Sequence, residues 1–177
     1  MVVALAVVAV AAAVPSLGGA EGSPAAAGTF PGRNGLLTFA RSTPDGFDIV
    51  AMRRDGSHRR VLVKSPADSV SLYSDWSPDG RHLAFDSDRT GKIEVFLRRP
   101  GGEIKQLTEG PAEDTHPTWA PGGLRIAFES DRSGSRQIHV MDKNGTNVRR
   151  VTRFTPGAEE PSFSPTGRWI AFLSGKV

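Results

Sequence analysis

The chain contains no cysteine, which excludes a disulfide framework and any thiolate metal site and leaves stability to packing. Aromatic residues make up only 7% of the sequence, so a core must rest on a few large side chains at regular intervals. After the first residues no segment shows the 3.6-residue hydrophobic period of an amphipathic helix, which excludes helical and α/β architectures. Neither sign of charge dominates. The net charge of +3 falls well short of a nucleic-acid footprint, and no nucleic-acid partner is expected. No apolar run is long enough to cross a bilayer comfortably, so no stable membrane span is expected once the leader is removed.

What is there begins with an apolar run from Val2 to Val14, the length of a signal-peptide core, although no Lys or Arg precedes Arg33. Small residues follow, with cleavage possible after Ala20 or after Ala27. Residues 1–27 therefore read as signal peptide and small-residue linker. The mature chain is expected to start near Glu21 or Gly28 and to be exported: periplasmic, cell-envelope or secreted. A cysteine-free exported chain fits bacterial secretion better than a small eukaryotic ectodomain. Residues 28–177 suffice for one domain with its own core.

Three stretches of that domain repeat one another: Asp75–Phe85, Thr118–Phe128 and Ser162–Phe172. Their lead aromatics Trp76, Trp119 and Phe163 are spaced 43 and 44 residues apart, the length of one four-stranded propeller blade. In each unit a strand ends on the aromatic and a Ser/Ala-Pro-x-Gly turn follows, with Pro78, Pro121 and Pro165 pre-setting φ and Gly80, Gly123 and Gly167 accepting a left-handed conformation. A second strand then alternates large and small residues up to Phe85, Phe128 or Phe172. Hairpins at Ser87–Gly91 and Ser130–Gly134 lead to third strands at Ile93–Phe96 and Ile138–Met141. Tight turns lead on to outer strands at Ile104–Thr108 and Val148–Thr152, Asn144-Gly145 being a strong hairpin signal. A degraded first unit precedes these, with Phe30 nine residues before Phe39, as Trp76 is before Phe85.

The expected fold is all-β: four-stranded antiparallel blades at approximately 30–64, 70–109, 113–153 and 158–177. At about 43 residues per blade this makes roughly 3.5 blades, whereas propellers close with about four to eight. An incomplete propeller leaves strand edges and apolar blade faces open, which favours self-association through the open blades or points to a truncated product of a longer protein.

The pattern Pro-x-Trp-Ser-Pro-Asp-Gly, then Ile-Ala-Phe, Ser-Asp-Arg-x-Gly and Ile-x-Val-Met-x-x-Asn-Gly resembles the WD40-like repeat of TolB-type six-bladed propellers. Asp114-Thr115-His116-Pro117-Thr118-Trp119 and Ser130-Asp131-Arg132 match it closely. The chain departs from the family in having repeats directly after the leader, without the N-terminal α/β domain, and Ser74 where the repeat carries Pro. The resemblance implies an exported, non-catalytic propeller that binds a protein or peptide. A relative or fragment of the propeller that gates prolyl-oligopeptidase-type peptidases is the alternative.

The residues offer little chemistry. His58, His82, His116 and His139 occupy non-equivalent repeat positions, and none has a second histidine or thiolate to complete a metal site. Ser133 sits in a hairpin tip without the strand–turn–helix of a nucleophile elbow. Catalytic, metal and cofactor residues are therefore expected to be none. Trp76, Trp119 and Phe163 read as wedges between blades. In the Ser-Asp-Arg hairpins the Asp is expected to bond amides of its own turn. Blade topology places these hairpins and the inter-blade connectors on one face, carrying Asp88, Arg89, Glu113, Asp114, His116, Asp131, Arg132, Glu159 and Glu160, the candidate partner-binding face. The opposite face collects Arg53, Arg54, Arg81, Arg125, Lys143 and Arg168 among other cations.

Overall fold

The computed structural model describes residues 35–174, so the leader, both cleavage sites and Phe30 lie outside the described residues. Among the latter, thirteen strands follow one another without a helix. β1 (Leu37–Thr43), β2 (Gly46–Met52) and β3 (Arg60–Val63) form blade 1. β4 (Ser69–Trp76), β5 (Leu83–Ser87), β6 (Glu94–Arg98) and β7 (Ile104–Gln106) form blade 2. Blade 3 consists of β8 (Asp114–Trp119), β9 (Arg125–Ser130), β10 (Gln137–Asp142) and β11 (Arg149–Arg150), and blade 4 of β12 (Glu159–Phe163) and β13 (Ile170–Leu173). Within each blade neighbouring strands are antiparallel.

The turn chemistry sets the register. Gly80, Gly123 and Gly167 adopt φ of 66°, 66° and 69°, and their amides close the turns on the carbonyls of Ser77, Ala120 and Ser164. This pairs Trp76 with Leu83, Trp119 with Ile126 and Phe163 with Ile170. The three lead aromatics thus end equivalent strands. The outer strands are shorter than the sequence suggests, because the Thr108 and Thr152 hydroxyls accept the Val95 and Ile138 amides and replace ladder bonds.

Alternation along each second strand decides which blade a residue meets. Leu83 and Phe85 join Ile49 and Val63 of blade 1, with Trp76 packed alongside. Ala84 between them faces the other way, against Trp119, Ile126 and Phe128 of blade 3. Ala127 in turn meets Phe163, Ile170 and Phe172 of blade 4. Large residues on one blade face therefore pack against the small face of the preceding blade, and the core consists of three inter-blade layers.

Blades 1 and 2 are also joined by a short parallel pairing of Gly46 with Ser69 and Phe47 with Val70. A β-carbon at Gly46 would lie 1.9 Å from the Ser69 carbonyl oxygen, at φ of 131°, so only glycine allows this approach. The strands β4, β8 and β12 pack against one another in succession and are the inner strands of their blades. β12 pairs with β13 in a separate two-stranded sheet; it opens a fourth blade and does not complete blade 1.

Candidate functional site

Each inner strand carries a β-bulge, between Ser71 and Ser74, Thr115 and Thr118, and Glu159 and Ser162. The extra residue breaks the ladder and re-aims a side chain. It places Tyr73, His116 and Glu160 at equivalent positions on three adjacent inner strands. His116 and Glu160 both adopt φ of 51°, a left-handed conformation unfavourable for residues with a side chain and held only by its surroundings.

A buried carboxylate from the second strand of the preceding blade does the holding. Asp86 accepts the Tyr73 amide on Oδ1 and the His116 amide on Oδ2, each at 3.0 Å. Glu129, at the same repeat position, accepts the Glu160 amide on Oε2 at 3.1 Å. Its other oxygen receives the Arg136 guanidinium, which also reaches Glu113 at 3.2 Å. Asp86 has no such cation among the described residues. Its burial pushes the carboxyl up to about 7 against the opposing pull of the amide bonds.

On this frame the Tyr73 and His116 rings stack with centroids 3.6 Å apart. His116 Nδ1 lies 3.0 Å from Thr115 Oγ1 and 3.6 Å from Glu129 Oε2. Burial lowers the imidazole pKa, opposed by the Glu129 carboxylate, which keeps His116 neutral near pH 7. Burial also raises the Tyr73 pKa, followed by the Asp86 charge. Glu159 and Glu160 next to them are exposed. The result is a polar surface with a stacked aromatic pair, a neutral imidazole and two free carboxylates on a rigid sheet.

The structure divides the candidate partner-binding residues. The Asp88 and Asp131 carboxylates do not take amides of their own turns as expected; they accept the amides of Val70 and Glu113, at the start of the inner strand, at 2.7 and 3.0 Å. Arg89 lies over the Phe85 and Phe96 rings at 5.1 and 5.2 Å and donates to Ser71 Oγ. Arg132 covers Phe128 at 5.4 Å and reaches Asp114 at 2.5 Å. Asp114 itself is only 1% exposed. These five residues fasten the hairpin to the inner strand and leave the surface to His116, Glu159, Glu160 and the Arg136-paired Glu113. The sequence reading passed over Tyr73, Asp86, Glu129 and Arg136. The repeat did carry a signal for three of them: Tyr73 aligns with His116 and Glu160, and Asp86 with Glu129. Arg136 stands where blade 2 has Ile93, so the repeat carried no signal for its charge, which was visible only in three dimensions.

Stacked antiparallel blades, two of them with all four strands described, and inner strands side by side define a β-propeller segment of WD40-like repeats. The family described as TolB beta propeller domain matches residues 58–177, and the chain belongs to that family. The Tol-Pal system protein TolB of Bordetella pertussis is 38% identical over 133 residues, which cover 73% of this chain and 30% of that protein. A solved structure from Agrobacterium tumefaciens, assigned as a TolB, superposes with a TM-score of 0.71 at 26% identity, over 77% of this chain and 49% of that one. A puromycin-hydrolyzing peptidase of Mycobacterium tuberculosis shares the fold alone, with a TM-score of 0.57 at 13% identity over 78% of this chain and 26% of the peptidase. The chain thus spans about a third of the TolB sequence it matches and about half of the Agrobacterium structure.

Proposed function

We propose that the chain is an exported, non-catalytic propeller module that binds a protein or peptide partner at the inner-strand surface around Tyr73, His116, Glu159 and Glu160. The observation that carries this reading is the left-handed bulge repeated on adjacent blades. Buried carboxylates hold it in place, and it presents exposed acidic groups beside a stacked aromatic pair. A rigid surface of that kind recognises a cationic or polar segment without ordering cost of its own. The Tol-Pal name of the Bordetella relative supports a protein partner, and the apolar run Val2–Val14 supports export to the periplasm or cell envelope. The peptidase likeness is one of fold and does not favour the gating alternative.

The test is a photocrosslinking amino acid at position 159 in the native host, with position 90 on the Asp88 hairpin as control. A protein adduct at 159, absent at 90 and lost in a Glu160→Lys background, is expected. Equal adducts at both positions would overturn the assignment of the surface. N-terminal sequencing of the same material should find a mature start near Glu21 or Gly28; intact Met1 in soluble cytoplasm would refute export.

A further inference from the structure

The face opposite the hairpins and connectors differs in what its charges do. Antiparallel order within a blade puts the turns between first and second strands and those between third and fourth strands at the same end, and the Lys143 amide bonds the Leu124 carbonyl across two such turns. Successive blades bring these turns shoulder to shoulder. A β-carbon at Gly123 would stand 3.7 Å from Pro78 of the preceding blade, and one at Gly167 would stand 3.4 Å from Pro121. The turn tips therefore form one continuous surface across blades 2 to 4.

That surface carries Arg81, Arg125, Lys143 and Arg168, and the β2–β3 turn of blade 1 adds Arg53 and Arg54; all six are exposed. None of the six enters an ion pair among the described residues. The acids on this side are engaged locally. Asp79 takes the Ser77 hydroxyl and the Arg81 amide, Asp55 the Ser57 amide, Asp142 the Asn147 amide group, and Glu103 pairs with Arg99. Arg98 on the same side is held below its ordinary value by burial and by the neighbouring Arg60 guanidinium. Among the cations, Leu124 projects 64% exposed at a turn tip, although blade 4 is in place beside it. Trp169 is more exposed still, at 74%. It occupies the repeat position of Arg125 and of His82, whose ring meets Trp119 of the following blade, so it lies on the side of blade 4 turned away from blade 3.

We propose that this turn face docks on an anionic lipid surface, with the arginines and Lys143 on headgroup phosphates and Leu124 inserted between them. Unpaired cations spread over several blade tips match a planar array of phosphates, to which guanidinium groups bond in bidentate fashion. A protruding leucine suits the headgroup–acyl boundary. Arg53 and Arg54 line a cavity with Gly35, Leu36 and Asp55, but the other four cations stand on separate turn tips, and the exposed aromatic beside them is the single Trp169; this is not the run of stacking aromatics along a basic groove that a single-stranded nucleic acid requires. Peripheral attachment by this face leaves the inner-strand surface around His116 and Glu160 available to a protein.

Flotation of the full chain with vesicles tests the docking. Phosphatidylglycerol–phosphatidylcholine vesicles are compared with phosphatidylcholine alone, at low and at high salt. Binding to the anionic vesicles, weakened by salt, is expected. The triple variant Arg81→Glu, Lys143→Glu, Arg168→Glu should lower the partition coefficient by at least about 100-fold, at about fivefold per cation lost. Leu124→Asp alone should lower it about 10-fold. All variants keep the apolar run Val2–Val14, so the difference between them isolates the turn face, and far-UV circular dichroism confirms that each is folded. Equal binding to neutral vesicles, no loss in the triple variant, or capture by heparin without vesicle binding would each overturn the proposal.

Discussion

At the junction of blades 2 and 3, Asp86 holds the left-handed amide of His116; at the junction of blades 3 and 4, Glu129 holds that of Glu160. The backbone task is the same and the charge is handled differently. Asp86, shorter by one methylene, places both oxygens on amides, carries no cation, and has its pKa pushed up to about 7. Glu129 reaches further, uses one oxygen for the amide and gives the other to Arg136. A repeated fold therefore constrains where an acceptor must stand, while its ionisation depends on whether a cation is supplied, as the β9–β10 hairpin of the same blade supplies Arg136 to Glu129. The blade 2–3 junction is sealed by Trp119, 2% exposed. The blade 3–4 junction has the half-buried Phe163 in its place.

The largest expected contrast lies in those aromatics. Trp119→Ala should cost about 3–5 kcal/mol of unfolding free energy, as for core aromatics generally, and Phe163→Ala about half as much because its ring is partly solvated. Urea unfolding followed by fluorescence measures both, and equal losses would erase the difference between the junctions. Trp119→Phe should be far milder, since the buried indole N–H has no acceptor among the described residues.

Next comes the cation. Arg136→Met leaves the Glu129 carboxylate buried without its guanidinium and should cost about 1–3 kcal/mol, less than for a fully buried pair because Arg136 is 37% exposed. The same substitution should leave the pH dependence that originates at Asp86 intact.

The pH profile sharpens the contrast further. An acid whose folded pKa is raised holds its proton more tightly when folded. The stability from Asp86 is therefore fully present below about pH 4 and is lost as pH rises through about 7. His116, with its pKa lowered by burial, acts in the opposite sense: its contribution is present above about pH 6.5 and is lost as pH falls. Asp86→Asn should be less stable by about 1–3 kcal/mol at pH 4, because its amide group meets a backbone donor. That deficit should shrink toward pH 8. Parallel stability curves for the two proteins would show that Asp86 does not titrate in this window.

The smallest stability effect is expected at the exposed carboxylates. Glu160→Lys should change stability by no more than about 0.5 kcal/mol, yet abolish crosslinking from position 159. A stability loss equal to that of Asp86→Asn would make Glu160 part of the frame and not of the recognition surface.

Much of the fold was legible because it rests on local rules. Pro-x-Gly turns, alternating Leu-Ala-Phe strands and the constant interval between Trp76, Trp119 and Phe163 each act over a few residues and repeat. The candidate surface was legible only in part. The sequence marked Asp88, Arg89, Asp114, Asp131 and Arg132 as charges in loops, and charge in a loop says nothing about which amide or ring lies beside it. It passed over Asp86 and Glu129 because an acid in a strand reads as a solvent-facing residue until the neighbouring blade covers it.

The sequence by itself determined the blade: its strands, its turns and the alternation that gives each sheet one large and one small face. Hydrogen bonding within a hairpin and the two-residue period of a strand depend only on neighbours along the chain. Tertiary structure decided which charges are free. Folding buried Asp86, Asp114 and Glu129, brought Arg132 and Arg136 onto partners from other strands of blade 3, and left Glu159, Glu160 and the arginines of the opposite turns in solvent. Desolvation and pairing depend on groups brought together from distant positions, and only the folded chain sets those distances.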